Sequence, residues 1–156
     1  VSKSYAMTGW RIGYLAGPAE IIKACKKVQS QSTSGACSIS QHAALAALTG
    51  GLDCVHKMRA EFAKRAAMVV NALQKMPGIA CLPTQGALYV FADVRAAMAA
   101  PDLQNDVEFA AFILESANVA LVPGSAFGAP GFVRISIAAS DENLTMAMDR
   151  IKSALG

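Results

Sequence analysis

Apolar and polar residues repeat with two different periods along the chain, and the change falls near residue 78. Before it, the segments read mostly as helices. A short apolar run, Ile12–Ala16, is predicted to be a strand ending at Gly17-Pro18. Proline suits the first turn of a helix, and Ala19–Gln29 is predicted to be that helix. Ser30–Ser40 is rich in Ser and Thr and reads as a loop, followed by an alanine-rich helix Gln41–Leu48 closed by Gly50-Gly51. Asp53 is placed to cap a long helix running to about Lys75, with Val55, Met58, Phe62, Met68 and Leu73 near helical spacing. Pro77-Gly78 ends it.

Beyond that point the pattern turns to period two. Ile79–Leu82 and Ala87–Asp93 are predicted strands separated by a turn at Pro83–Gly86. Asn105-x-x-Glu108 resembles a capping box and opens a helix Val107–Ala117. Val119–Val122 is a further short strand. A turn at Pro123–Gly128 leads into the strand Phe132–Ala138, and Ser140-Asp-Glu starts the last helix with acidic groups in its first turn. The order helix, strand, strand, helix, strand, strand, helix implies an α+β layer, with helices packed on a small sheet.

Composition adds a constraint. Apolar residues make up 54% of the 156 and charged residues 16%, against usual shares of roughly 45–50% and about 25%. A self-contained domain of this size needs more charged surface, so apolar faces covered by further chain or by a second subunit are expected. The net charge of +3 is mild and the basic residues are scattered, which argues against nucleic acid or a membrane surface as partner. The charge-free stretches Val28–Leu52 and Ser116–Val133 are interrupted by glutamines and hydroxyls, or by Pro123, Gly124 and Gly128, and neither suits a bilayer. The four cysteines (Cys25, Cys37, Cys54, Cys81) show no C-x-x-C spacing, so free thiols in a reducing cytoplasm are expected, and no metal site.

Three cations carry candidate chemistry. Lys3 lies between two serines in a polar loop before the apolar run, where desolvation or a neighbouring cation would make its amine a nucleophile. Arg11 follows eight positions later, behind Thr8-Gly9-Trp10, and its planar fork suits a phosphate dianion. Taken alone, each also reads as a solvated surface cation. Arg134 is less ordinary, because Phe132, Val133, Ile135 and Ile137 make its strand apolar on both faces. A buried arginine needs an anion, either an internal carboxylate or a ligand. Tyr5 and Trp10 read as packing residues, and His42 and His56 as structural.

The segment Ser2-Lys-Ser-Tyr-Ala-Met-Thr-Gly-Trp-Arg-Ile-Gly-Tyr14 closely resembles the cofactor-lysine segment of class I aminotransferases, the aspartate aminotransferase-like group of fold type I. Gln31–Ser34 resembles the family's interface loop, Gln85–Phe91 its small-domain strand, and Pro123–Gly128 with Phe132–Ser136 its substrate-carboxylate segment. The resemblance implies pyridoxal 5'-phosphate as cofactor. Lys3 would bind it covalently and act as the general base and acid at the substrate Cα, and Arg11 would hold its phosphate. Arg134 would grip the α-carboxylate of the substrate. The implied architecture is the end of a large cofactor-binding domain, residues 1–55, joined to a small C-terminal domain, residues 56–156. The implied reaction transfers an amino group between an amino acid, aspartate or glutamate by preference, and a 2-oxo acid, with an aromatic or prephenate-type acceptor as the variant. A cytoplasmic homodimer is expected, with the loop around Ser32 reaching the neighbouring subunit's cofactor phosphate or serving as a plain polar loop.

The sequence departs from the family pattern in what it lacks. An aspartate against the pyridine nitrogen, an aromatic stacked on the ring and a glycine-serine turn for the phosphate cannot be assigned to any residue here. The chain is therefore expected to be an incomplete portion of its protein, with little or no transaminase activity alone. Two further readings share these segments: the ligand-sensing domain of a transcription regulator, which an upstream helix-turn-helix would distinguish, and a lyase of the same fold.

Overall fold

The structure, a computed structural model, describes residues 1–99 and 102–156. It divides into two compact units, Val1–Met58 and Arg59–Gly156.

In the first unit a 3-10 turn, Thr8–Trp10, is followed by α1 (Ala19–Ser32), α2 (Ser38–Thr49) and the start of α3 (Asp53–Leu73). The expected strand Ile12–Ala16 does not form. A strand needs a neighbour for its backbone hydrogen bonds, and the unit holds no second strand among its described residues. The expected loop Ser30–Ser40 is also shorter. Ser30 and Ser32 turn their hydroxyls back onto the carbonyls of Lys27 and Val28, at 2.9 and 3.1 Å, satisfying acceptors in the last turn of α1. The helix thus runs on to Ser32, and Ser32 belongs to that turn rather than to a free loop. Asp53 is the first residue of α3 rather than its cap, where its charge still complements the helix dipole. Among the described residues of this unit only Met7, Ser40 and Ala44 are buried, and Trp10, expected to pack, is 45% exposed.

The second unit is built on a four-stranded antiparallel sheet of order β1-β2-β4-β3. Its strands are β1 (Ala80–Cys81), β2 (Tyr89–Asp93), β3 (Val122–Pro123) and β4 (Phe132–Ser136). Three of the strands predicted after residue 78 are present but shorter than expected, while the one expected at Val119–Val122 forms instead at Val122–Pro123, taking in the first residue of the expected turn. The pairing Val90↔Ile135 and Ala92↔Val133 sets four apolar residues on one face, and all four are buried. Helices α3, α4 (Asp106–Ala117) and α5 (Asp141–Leu155) contribute Val69, Leu73, Phe109, Ile113, Leu144 and Ile151 to the same core. On α3 the buried stripe is Ala66, Val69, Val70 and Leu73, so the apolar face lies one step round from the expected Met68. Asp141, in the first turn of α5, binds Lys64 and Arg65 of α3, both at 2.7 Å. Asn105 caps α4 by accepting from the amides of Val107 and Glu108. The Glu108 carboxylate closes that cap by accepting from the Gln104 amide at 2.8 Å.

Candidate active site

Residues 1–11 form a series of tight turns. The amides of Tyr5, Ala6 and Met7 donate to the carbonyls of Val1, Lys3 and Ser2, each at 3.1 Å. Two non-glycine residues here, Ala6 and Arg11, adopt left-handed backbone with φ of 53° and 49°. Such conformations are strained for residues with a Cβ, and they cluster where geometry serves function. The turn is anchored to α2, where the buried Ser40 hydroxyl donates to the Trp10 carbonyl at 2.8 Å. The side chains of Lys3 and Arg11 are both exposed. Arg11 uses Nη1 on the Thr8 carbonyl at 2.8 Å, which steadies the guanidinium and leaves its other N–H groups for a ligand. Together they offer an amine and a phosphate-type fork on one constrained segment.

Arg134 lies in the second unit, at the centre of β4. It stands opposite Phe91 of β2 and Val122 of β3. The expectation of a strand apolar on both faces is corrected by the pleat: Val133 and Ile135 face the core, while Phe132, Arg134 and Ser136 face the other way and keep partial exposure. On that open face the Arg134 guanidinium lies over two rings, 4.3 Å from the Tyr89 centroid and 4.4 Å from that of Phe127. Both contacts are within cation–π range. No carboxylate of the described residues forms an ion pair with it. Of the two anion partners left open by the sequence, the internal carboxylate is therefore not what the fold supplies. Phe91 stacks on Phe132 beside it, with centroids 5.3 Å apart.

Phe127 belongs to the turn Gly124–Phe127, and this turn is held by a residue that the sequence did not single out. Asp106, in the first turn of α4, is only 1% exposed. Its carboxylate accepts from the Ser125 amide at 2.7 Å and from the Gly131 amide at 3.3 Å. Burial pushes its pKa up, but these amides and the Ser125 hydroxyl outweigh burial and hold it below the ordinary aspartate range. An acidic residue in the first turn of a helix has an ordinary explanation in the helix dipole, so nothing in the sequence signalled the burial. Two glycines complete the turn. A Cβ at Gly124 would lie 2.4 Å from the Ala129 carbonyl oxygen, and one at Gly131, where φ is +82°, would lie 2.5 Å from Cγ of Arg95.

The model of the family described as aminotransferase class I and II matches residues 1–151. The aspartate/prephenate aminotransferase of Nitrosomonas europaea is 50% identical over 99% of this chain, which covers 41% of that protein. The aspartate aminotransferase of Geobacillus stearothermophilus is 49% identical over 97% of the chain and 38% of its own length. Among solved structures, the aspartate aminotransferase of Rhizobium meliloti superposes with a TM-score of 0.93 at 45% identity, over 99% of this chain and 40% of its own. The aromatic aminotransferase of Pyrococcus horikoshii gives 0.90 at 37% identity, again over 99% and 40%. The chain thus spans about two fifths of the relatives it matches. With its mixed helix-and-sheet fold and nearly its whole length covered, the chain belongs to the class I and II aminotransferase family and has the fold of its fold type I members.

Proposed function

We propose that the protein carrying this chain is a pyridoxal-phosphate-dependent aminotransferase that moves an amino group between aspartate or glutamate and a 2-oxo acid. The observation that supports it best is Arg134, a guanidinium held between two rings with no internal carboxylate, in a member of this family. Arg134 would bind the substrate α-carboxylate through two parallel N–H donors and so fix the direction of the Cα–H bond. Arg11 would bind the cofactor phosphate with the N–H groups that Thr8 leaves open. Lys3, whose exposed amine has no internal partner among the described residues, would hold the cofactor covalently and then carry a proton to or from Cα. Pyridoxal 5'-phosphate, when bound, supplies the conjugated ring that takes up electron density as a bond to Cα breaks.

On this reading residues 1–55 close the large cofactor-binding domain and residues 56–156 form the small domain. The substrate preference follows relatives described as aspartate and aspartate/prephenate aminotransferases, and the working unit is a cytoplasmic homodimer. In the described residues no helix is long and apolar enough to cross a membrane. The test uses the complete protein. Borohydride reduction with the cofactor bound, followed by peptide mapping, should label Lys3, and Lys3→Ala should lower kcat by at least about 10³-fold. Arg134→Lys should raise KM for both the amino acid and the oxo acid. Label on another lysine, or unchanged kinetics in both variants, would contradict the assignment.

A further inference from the structure

We propose that Asp106 is a positioning residue for substrate binding: it holds the turn that presses Phe127 against Arg134 and so fixes where the guanidinium points. This rests on the reading of Arg134 as the carboxylate site. One carboxylate oxygen takes the Ser125 amide and the other takes the Gly131 amide, so a single buried side chain ties both ends of a seven-residue loop. Inside the loop, Gly128 and Ala129 donate to the carbonyls of Ser125 and Gly124, at 3.1 and 3.0 Å. Phe127 therefore projects from a closed ring of backbone contacts, although it is itself 50% exposed and has little packing of its own to fix it.

Phe127 then supplies one of the two rings beside Arg134; the other, Tyr89, comes from β2, whose register is fixed by five paired residues. The two walls of the guanidinium slot thus differ in origin. One is set by the sheet ladder and the other depends on Asp106. A carboxylate is required for the second, because both partners are N–H donors and an amide side chain would turn its own NH2 against one of them. Asp106 has no charged partner among the described residues, so its charge is compensated by the amides of Ser125 and Gly131, the Ser125 hydroxyl and its own amide in the first turn of α4.

The experiment reads the arginine directly. In the complete protein, without substrate, the Arg134 Nε–H NMR resonance, lying between two rings, should be the most upfield of the side-chain signals from the arginines of residues 1–156. In Asp106→Asn it should move back toward the position of an exposed arginine, while the methyl signals of Val133 and Ile135 keep their places. Phe127→Leu should shift it in the same direction with the Asp106 contacts intact. In the complete enzyme Asp106→Asn should raise KM for both substrates roughly tenfold with kcat changed about twofold or less, and Asp106→Glu should recover part of the loss.

A folded Asp106→Asn chain with an unmoved Arg134 resonance would overturn the proposal. So would loss of the Val133 and Ile135 methyl dispersion, since Asp106 would then be holding the fold rather than the arginine. If the resonance moves as expected but Arg134→Lys leaves KM unchanged, the positioning stands and the carboxylate role of Arg134 is what fails.

Discussion

The two units use apolar residues in opposite ways. Residues 59–156 bury an unbroken cluster from Ala66 to Ile151 between three helices and one face of a sheet. Residues 1–58 leave Tyr14, Leu15, Val28, Ile39 and Leu45 more than half exposed and bury almost nothing. Local geometry is well defined in both, since helices and turns are satisfied by hydrogen bonds close in sequence. The difference lies in what holds those elements against unfolding. Backbone hydrogen bonds contribute little net stability, and burial contributes most of it. The lysine-bearing segment is thus shaped by its own turns, while the arginine of β4 stands on a core of its own.

Native-state hydrogen exchange gives the widest test of this contrast. Amides of β4 and of α4 around Ile113 should exchange only through global opening of their unit. Those of α1 should exchange on the order of 10³-fold faster or more, through local opening. Similar protection in the two would refute the comparison. Substitution sharpens it next. Ile135→Ala, in the core, should lower stability by about 2–5 kcal/mol in urea melts. Leu45→Ala, at a side chain 58% exposed, should change it by about 0.5 kcal/mol or less.

The smallest effect is pH dependence. Asp141 is held below the ordinary carboxylate range by Lys64 and then Arg65, Asp93 by Arg95, and Asp106 by amides that outweigh its burial. A carboxyl with a depressed folded-state pKa adds stability that is fully present above its unfolded value and is lost as pH falls through the folded one. Thermal stability should therefore be level near neutrality and decline below about pH 4. Asp141→Asn should make that decline shallower. Because Asp141 is partly exposed to solvent, its share should be modest.

The second unit was the more legible in sequence. Its strands alternate and its turns carry Gly and Pro. Asn105 and Ser140 both cap the helices they announced, Ser140 by accepting from the Asn143 amide at 3.2 Å. The strand Ile12–Ala16 was misread because an apolar run shows what wants burial and not whether a neighbouring strand is at hand. Lys3, Arg11 and Arg134 stood out through contiguous motifs. Asp106 did not, because its partners lie 19 and 25 residues away and become neighbours only when the loop closes over the end of α4.

The edges of the sheet have a consequence for self-association. β1 and β3 are two residues long, and β3 ends in Pro123, which has no N–H to offer. The long strands β2 and β4 are both interior. Among the described residues of this unit, each edge strand thus offers a foreign strand only two residues to pair with, and short edge strands are a common protection against ordered aggregation.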